Sequence, residues 1–257
     1  MASLLGPDDP PPFTILNPDA TTPLLLLCDH ASRAVPRSLD QLGLPDAELG
    51  RHIGWDIGAA AVARLLAQAF RARLVTSGYS RLVIDCNRKP GYPSSIPPIS
   101  DGTVVPGNRV LSDADRSARA EACFWPYHRA IDAQLAALMA LGPKPALVVI
   151  HSFTPRMNEF DRPWHLGVLW DEDGRLAQPL LHHLGQAPGV VVGDNEPYSG
   201  RGEQEYTIGA HAVPHDLPRV SIEIRQDLIG DDAGVRHWAN VLQPAIAAAL
   251  KDAGYDV

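Results

Sequence analysis

The sequence lacks several features that would assign a protein to a class at once. Of its 257 residues three are cysteine and none forms a CxxC pair, so a disulfide framework is not expected. It contains no run of Lys or Arg, and its formal net charge is −8, which disfavours nucleic acid or an anionic membrane as the main partner. The longest apolar runs, such as LLLLC at 24–28, are far too short to cross a bilayer.

The N-terminal segment MASLLGPDDPPPF has neither the basic nor the apolar stretch of a secretion signal, so we expect a cytoplasmic protein. Residues 1–22 are rich in Pro and Asp and predict a poorly ordered N-terminal arm, followed by a single domain over 23–257. The Pro/Gly/Ser-rich segment 89–108 has the composition of a linker. We interpret it instead as a long ordered loop within that domain, because loops of this length in compact domains tend to be functional.

Short apolar runs bounded by turn-forming residues predict buried strands, and amphipathic stretches between them predict helices. Their alternation predicts an α/β fold with a mainly parallel sheet covered by helices on both faces. The predicted strands span 23–28, 73–76, 81–86, 146–150, 166–170, 189–192 and 219–224. The predicted helices span 55–70, 113–140 (with a break at Pro126 as an alternative), 175–185 and 233–251.

Polar residues lie at the ends of several predicted strands, where open parallel sheets bind ligands. His30 follows the first strand, His151 follows the strand 146–150, and Glu223 ends the last strand. Since a neutral imidazole is a common ligand of zinc, the two histidines predict a metal site. The alternative is that each histidine is buried in the core and bonded to a backbone carbonyl.

The third metal ligand is less defined by the sequence. We favour Asp56, near the start of the helix 55–70, over Asp29 and Asp85. A carboxylate at that position also suits the N-terminus of a helix, so the alternative role of Asp56 is a helix cap.

Glu223 suits a general base, because a carboxylate beside a metal can take a proton from water and deliver it to a leaving amine. The alternative is an ion pair with Arg225. Asn87 and Arg88 follow the predicted strand 81–86 and suit recognition of a substrate carboxylate, since a guanidinium group matches carboxylate geometry. Arg88 could instead form a surface salt bridge, while Arg225 and Arg201 are further candidates for anion binding.

Two other features have functional interpretations. Cys28 would be the nucleophile of a cysteine amidase, although a buried core residue is the favoured interpretation. The segment YSGRGEQEY at 198–206 has the composition of a mobile active-site loop or of an ordinary surface loop.

Five segments together resemble the N-formylglutamate amidohydrolase family. These are LCDHAS (27–32), GWDIGA (54–59), SRLVIDCNRKP (80–90), VVIHSFTP (148–155) and PRVSIEIRQDLI (218–229). The order of His30, Asn87-Arg88, His151-Ser152-Phe153 and Glu223-Ile224-Arg225 is also distantly similar to zinc carboxypeptidases and their aminoacylase-like relatives. That group has a Glu three residues after its first His, where this sequence has Arg33, so either the acidic ligand comes from elsewhere, for which we name Asp56, or the similarity to that group ends at this point.

The resemblance implies an α/β three-layer sandwich with a mixed, mainly parallel sheet of the phosphorylase/hydrolase kind. It implies a zinc-dependent amidohydrolase that acts on a small N-formyl or N-acyl amino acid, such as N-formylglutamate, which would give formate and glutamate. The alternatives are a zinc deacylase or peptidase with another substrate, and a non-catalytic carboxylate-binding relative. The assigned roles are metal binding for His30, Asp56 and His151, catalysis for Glu223, and substrate binding for Asn87, Arg88, Arg225 and Ser152.

Overall fold

A mixed sheet of seven strands forms the centre of the computed structural model, which describes residues 4–201 and 205–256. Two further pairs of short strands lie outside this sheet. In chain order the strands are β1 (Phe13–Leu16), β2 (Leu24–Cys28), β3 (Arg73–Ser77), β4 (Ile99–Ser100), β5 (Thr103–Val104), β6 (Ala146–Phe153), β7 (Arg156–Met157), β8 (Phe160–Asp161), β9 (Leu166–Leu169), β10 (Val192–Asp194) and β11 (Arg219–Arg225). The α-helices are α1 (Asp46–Leu49), α2 (Ala59–Ala69), α3 (Asp113–Arg119), α4 (Trp125–Met139), α5 (Ala177–Gly185), α6 (Tyr206–His211) and α7 (Asp232–Asp252).

The strand order in the large sheet is β1-β3-β2-β6-β11-β9-β10. The four strands β3, β2, β6 and β11 are parallel, β1 pairs antiparallel with β3, and β9 pairs antiparallel with β11 but parallel with β10. The carboxyl ends of β2, β6 and β11 therefore meet at one edge of the sheet, which is where such sheets bind ligands.

Helices cover both faces of the sheet. Along β2 the side chains alternate, so that Leu24 and Leu26 pack toward α2, α5 and α7, while Leu25 and Leu27 pack toward α4. All four leucines are fully buried, which explains why a strand with two covered faces has an unbroken apolar sequence. The predicted α/β three-layer sandwich with a mixed, mainly parallel sheet is confirmed. Within the described part of the chain, no helix is long and apolar enough to cross a membrane.

The N-terminal segment contributes a strand to the sheet, so the expectation of a poorly ordered arm is wrong for residues 13–16. Phe13 to Leu16 pair antiparallel with β3, and Phe13 and Ile15 pack against the core. The Pro and Asp residues around this segment predict disorder, but the short apolar run FTIL between them forms an edge strand that pairs with β3. The division into an arm over 1–22 and a domain over 23–257 stays a prediction.

The predicted strand 81–86 is wrong. Its backbone forms turns, in which Val83 N donates to Ser80 O at 2.9 Å, and it pairs with no strand of the described residues. Leu82, Val83 and Ile84 are buried in a separate hydrophobic cluster beside the sheet, together with Leu42 and Phe124. An apolar run indicates burial but does not by itself indicate strand pairing.

The other predicted elements differ mainly at their ends. The segment 113–140 is helical and is interrupted by a π-helical turn at Ala120–Phe124, directly before Pro126, whose ring and missing N–H disturb a regular helix. The predicted strand 189–192 lies at Val192–Asp194. The segment 89–108 is ordered and contains the β4-β5 hairpin, as expected for a loop within the domain.

Gly58 connects Asp56 to α2 and must be glycine for two reasons. Its φ is +78°, and a Cβ atom there would lie 2.2 Å from the carbonyl oxygen of Ile229. We expect Gly58→Ala to lower the free energy of unfolding by more than about 2 kcal/mol, because it adds both left-handed strain and a backbone clash. Gly189→Ala is the matched control, since φ is +73° there but no atom lies within 4 Å of the added Cβ. Urea denaturation of both variants measures the difference, and equal losses would contradict the role of the clash.

Candidate active site

A cavity of about 180 Å³ opens at the carboxyl ends of β2, β6 and β11. The residues come from different parts of the chain: His30 follows β2, Asp56 precedes α2, His151 lies in β6 and Glu223 lies in β11. All the residues with an assigned role except Arg225 line this cavity, namely His30, Asp56, Asn87, Arg88, His151, Ser152 and Glu223.

Asp56 lies at the centre of the polar groups. Its Oδ2 atom is 2.9 Å from His151 Nδ1 and 3.3 Å from His30 Nδ1, and it accepts a hydrogen bond from Ser152 N. Its Oδ1 atom accepts a hydrogen bond from Arg81 at 3.3 Å. The carboxylate therefore does not cap α2, which begins at Ala59 with Gly58 before it.

Each histidine also faces a second carboxylate through its other ring nitrogen. His30 Nε2 is 2.7 Å from Asp85 Oδ1, and His151 Nε2 is 3.5 Å from Asp29 Oδ2. Asp29 and Asp85, the rival candidates for the third ligand, thus lie behind the histidines rather than between them. Metal-bound histidines in proteins usually have such a carboxylate on the far nitrogen, which fixes the orientation of the ring.

The carboxylates favour positive charge between the two rings. Burial alone would lower the pKa of His151, but Asp29 and Asp56 outweigh it and raise the pKa well above its ordinary value. Burial also opposes protonation of His30, and Asp85 and Asp56 raise its pKa. The site stabilises a positive charge, whether protons on the imidazoles or a cation between them carry it.

His30, Asp56 and His151 fit a divalent metal. Their candidate ligand atoms lie within 4.8 Å of one another and all three residues are buried. Ligands about 2.1 Å from zinc at tetrahedral angles are about 3.4 Å apart, close to the separations between Asp56 Oδ2 and the two Nδ1 atoms. Two imidazole nitrogens and one carboxylate oxygen are also a donor set that catalytic zinc sites use.

Glu223 lies beside this group on the neighbouring strand. It is directly opposite His151 in the β11-β6 register, and on its other side it faces Gly167 of β9. Burial raises the pKa of Glu223 to about 7, and its Oε2 atom has no hydrogen-bond partner among the described residues. A carboxyl group with these properties can take and return a proton near neutral pH.

Arg225 is the one residue with an assigned role that the structure does not bring to the cavity, and Arg201, the further candidate for anion binding, does not line it either. β11 ends at Arg225, and the chain turns into a 3-10 segment at Gln226–Leu228. The side chain of Arg225 therefore does not line the cavity, whereas that of Glu223 does. Its guanidinium group pairs with Asp227 at 2.9 Å and donates to the carbonyl oxygen of Arg162. The alternative ion pair between Glu223 and Arg225 is therefore not formed.

Asn87, Arg88 and Ser152 lie at the wall of the cavity with groups suited to a ligand. Asn87 Oδ1 accepts a hydrogen bond from Thr207 N at 3.0 Å, which leaves its amide N–H groups as the donors that Asn87 can offer. Arg88 lies at the cavity wall, as does Arg81, so two arginines line the cavity. Ser152 Oγ is buried and has no hydrogen-bond partner among the described residues.

Sequence reasoning did not single out Arg81, and it covered Tyr198 and Glu205, which also line the cavity, only as members of the segment 198–206. Arg81 belongs to the segment that was predicted as a strand, yet it pairs with both Asp56 and Asp85. Glu205 accepts a hydrogen bond from Ser221 at 3.0 Å, and burial raises its pKa. No periodic or motif signal distinguishes these residues from the other charged and aromatic residues of loops.

The cysteine amidase alternative finds no support in the structure. Cys28 is fully buried, and burial raises the pKa of its thiol well above the ordinary value, which disfavours a thiolate nucleophile. The predicted active-site loop at 198–206 does reach the cavity through Tyr198 and Ser199. Residues 202–204 of this segment lie outside the described residues.

A buried pair of histidines, His128 and His211, holds a helix that contacts the site. His128 Nε2 donates to the carbonyl oxygen of Cys86 at 2.9 Å, His211 Nδ1 donates to Asp132 Oδ1 at 2.8 Å, and His128 Nδ1 and His211 Nε2 share a hydrogen bond of 2.8 Å. His211 is the last residue of α6, and Thr207 in the same helix bonds to Asp29 and Asn87. The histidine pair therefore fixes the helix that holds two polar residues of the site.

A sequence model of the N-formylglutamate amidohydrolase family matches residues 22–230. The chain belongs to this family. Membership supports hydrolase activity on an amide bond and a small amino-acid substrate, in agreement with the cavity and its polar groups. No match is found among curated proteins.

Two solved structures are similar to this chain. A gene product of Agrobacterium tumefaciens has 38% sequence identity and a TM-score of 0.93, with 96% of this chain and 98% of that chain covered. The N-formylglutamate amidohydrolase from Ralstonia eutropha JMP134 has 20% identity and a TM-score of 0.67, with 94% of this chain and 97% of that chain covered. At this lower identity the similarity shows the shared fold.

The histidine pair predicts a loss of stability in mild acid. Burial, followed by the neighbouring His211, lowers the pKa of His128 to about 4 from an ordinary 6.5, while Asp29 and Asp132 act in the opposite direction. The unfolded chain therefore binds more protons between these values, and stability falls as the pH falls. We expect a contribution of about 2 kcal/mol to be lost between pH 6.5 and pH 5.

Urea unfolding at the two pH values measures this loss. His128→Gln keeps an amide that can donate and accept but does not titrate, so it should flatten the pH dependence even where it lowers stability overall. His237→Gln is the control, because His237 is exposed. An unchanged pH dependence in His128→Gln would show that another group is responsible.

Proposed function

We propose that this protein hydrolyses the amide bond of an N-formyl or other small N-acyl amino acid, with N-formylglutamate as the first candidate substrate. A divalent metal, for which zinc is the best candidate, is held by His30, Asp56 and His151. The observation that carries the proposal is the convergence of this ligand set with Glu223 and Arg88 in one cavity. Family membership independently supports the chemistry of amide cleavage.

When bound, the metal would act as a Lewis acid that makes water more acidic and polarises the amide carbonyl. Glu223 takes a proton from the attacking water. The water oxygen bonds to the carbonyl carbon, and negative charge forms on the carbonyl oxygen. The carbonyl double bond then re-forms from this negatively charged oxygen. At the same time the C–N bond breaks and Glu223 gives its proton to the amine nitrogen. Water and N-formylglutamate thus yield formate and glutamate, with no other reactant.

Arg88 and Asn87 bind the carboxylate of the amino acid. The guanidinium group supplies charge and paired donors, and the Asn87 amide supplies a further donor. The position of Asn87 is fixed, because Asn87 N donates to Asp85 Oδ1 at 2.8 Å and its own Oδ1 is bonded to Thr207. The buried hydroxyl of Ser152 is an additional group for the substrate.

The test is turnover of a panel of N-acyl amino acids combined with metal analysis. The panel contains N-formyl-L-glutamate, N-acetyl-L-glutamate, N-formyl amino acids with apolar side chains, and a dipeptide. We expect formate release from an N-formyl amino acid, loss of activity after chelation, and recovery with zinc. His151→Ala should lose both bound metal and activity, because it removes one of the ligands. Full activity of chelated protein that contains no divalent ion would refute the metal, and cleavage of the acetyl compound or dipeptide alone would indicate a different deacylase or peptidase.

Glu223→Gln tests the general base. We expect kcat to fall by about 100- to 10,000-fold, since proton transfer by a positioned side chain contributes on that order. The metal content should stay that of the wild type, because Glu223 is not among the proposed ligands. Glu121→Gln is the matched control at an exposed position. Activity of Glu223→Gln equal to that of the wild type would assign the proton transfer to another residue.

A further inference from the structure

Arg162 is a buried arginine next to the cavity that forms no ion pair with any carboxylate of the described residues. It is 7% exposed, and its guanidinium group donates to Thr154 O at 3.3 Å and to Tyr198 Oη at 3.1 Å. A buried charge without an opposite charge is costly, so its surroundings must stabilise it in another way. Here the guanidinium group lies 4.9 Å from the centre of the Tyr198 ring and 5.7 Å from that of Phe153.

Tyr198 connects this arginine to the cavity. Its side chain lines the cavity that contains Glu223 and also a neighbouring cavity of about 250 Å³. The phenolic oxygen accepts the hydrogen bond from Arg162, so the phenolic hydrogen is the group that Tyr198 can offer to a ligand. Among the described residues, no acceptor for this hydrogen is within hydrogen-bonding distance.

The segment that carries Tyr198 is held in place on both sides. Asn195 Oδ1 accepts hydrogen bonds from Trp170 N at 3.0 Å and from Gly200 N at 2.9 Å. Gly200 packs directly on the backbone of Trp170, where a Cβ atom would lie 2.7 Å from the carbonyl carbon. The position of the phenol is therefore set before a substrate binds, as electrostatic stabilisation of a transition state requires.

We propose that Tyr198 is a catalytic residue that donates a hydrogen bond to the carbonyl oxygen of the scissile amide, and that Arg162 is a positioning residue that orients and polarises this phenol. The inference rests on the proposed amide hydrolysis. As water attacks, Glu223 gains a proton and becomes neutral while one negative charge forms on the carbonyl oxygen. A phenol backed by a guanidinium group in the same cavity stabilises that oxygen more strongly in the transition state than in the substrate.

The charges around the phenol favour this role over binding of the substrate carboxylate. Tyr198 is 41% exposed, and its partial burial, together with the negative charge of Glu223, raises the pKa of the phenol against the opposing effect of Arg162, which keeps the phenol protonated as a donor. The same charge of Glu223 repels a carboxylate placed at the phenol before the reaction. Once Glu223 has taken up its proton this repulsion disappears, at the stage when the carbonyl oxygen becomes negative.

The test is a double-mutant cycle on the metal-loaded protein, with the panel substrate that the wild type hydrolyses best. We expect Tyr198→Phe to lower kcat on the order of 100-fold, the usual effect of removing one donor to an oxyanion, with KM changed less than about threefold. Arg162→Met should lower kcat in the wild type but cause no further loss in the Tyr198→Phe background. Arg162→Lys, which keeps the charge, should recover part of the loss.

Two controls separate this role from a structural one. Tyr255→Phe removes a phenol that bonds to Lys144 O away from the cavity, and Arg156→Met removes an exposed arginine paired with Asp161. Both variants should retain wild-type kcat, and all variants should bind the same amount of metal. If Arg162→Met does not fold, the cycle is completed with Arg162→Lys.

The outcomes are distinguishable. Wild-type kcat in Tyr198→Phe overturns the inference, and a rise in KM without a change in kcat shows instead that the pair binds the substrate carboxylate. Independent, multiplicative losses in the double variant overturn the positioning role of Arg162. Failure of the wild type to hydrolyse any member of the panel overturns the proposed function itself and the inference with it.

Discussion

The Asp56 carboxylate, shared by two imidazoles, is the interaction on which the site depends. A buried carboxylate is stable only where hydrogen bonds and opposite charges replace the water that it loses. Asp56 obtains these from His30, His151, Arg81 and the backbone of Ser152. Because these groups come from the turn after β2, from β6 and from the turn after β3, the carboxylate can be satisfied only when the central sheet has formed. The site and the fold therefore stabilise each other.

The same carboxylate belongs to a row in which acidic and imidazole groups alternate. Asp85, His30, Asp56, His151 and Asp29 follow one another, and Asp29 continues the row to Tyr127 in α4 and Thr207 in α6. Each imidazole lies between two carboxylates, so this row stabilises positive charge where the two Nδ1 atoms meet. An apolar core of the same volume would stabilise the fold at lower cost, and functional sites are where such departures are expected.

Much of this arrangement is visible in the sequence, since the strands that carry it are buried on both faces. The runs that form β2 and β6 are apolar up to Asp29-His30 and His151, so a change from apolar to polar at the carboxyl end of a strand marks the site, whereas β11 already contains Arg219 and Ser221 before Glu223. The choice of Asp56 over Asp29 and Asp85 depends on which oxygens lie between the histidines, and sequence spacing alone cannot resolve that. In the segment 81–86 an apolar run predicted a strand that does not form. Leu82, Val83 and Ile84 are as buried as strand residues, but they are buried in a separate hydrophobic cluster.

Arg162 and Tyr198 show why site residues that lie in loops are harder to predict from the sequence than those at the ends of strands. Both lie in loops, are 36 residues apart and belong to no periodic pattern, so only their hydrogen bond in the folded chain connects them. His30, Asp56, His151 and Glu223 lie on one side of the cavity, and a positively polarised group that faces them can stabilise charge that moves onto a carbonyl oxygen. Arg81 is neutralised by Asp56 and Asp85, whereas Arg162 has no such carboxylate in the described chain. Its charge is therefore available to polarise the phenol, and for this reason the loop that carries Tyr198 is a part of the catalytic electrostatics.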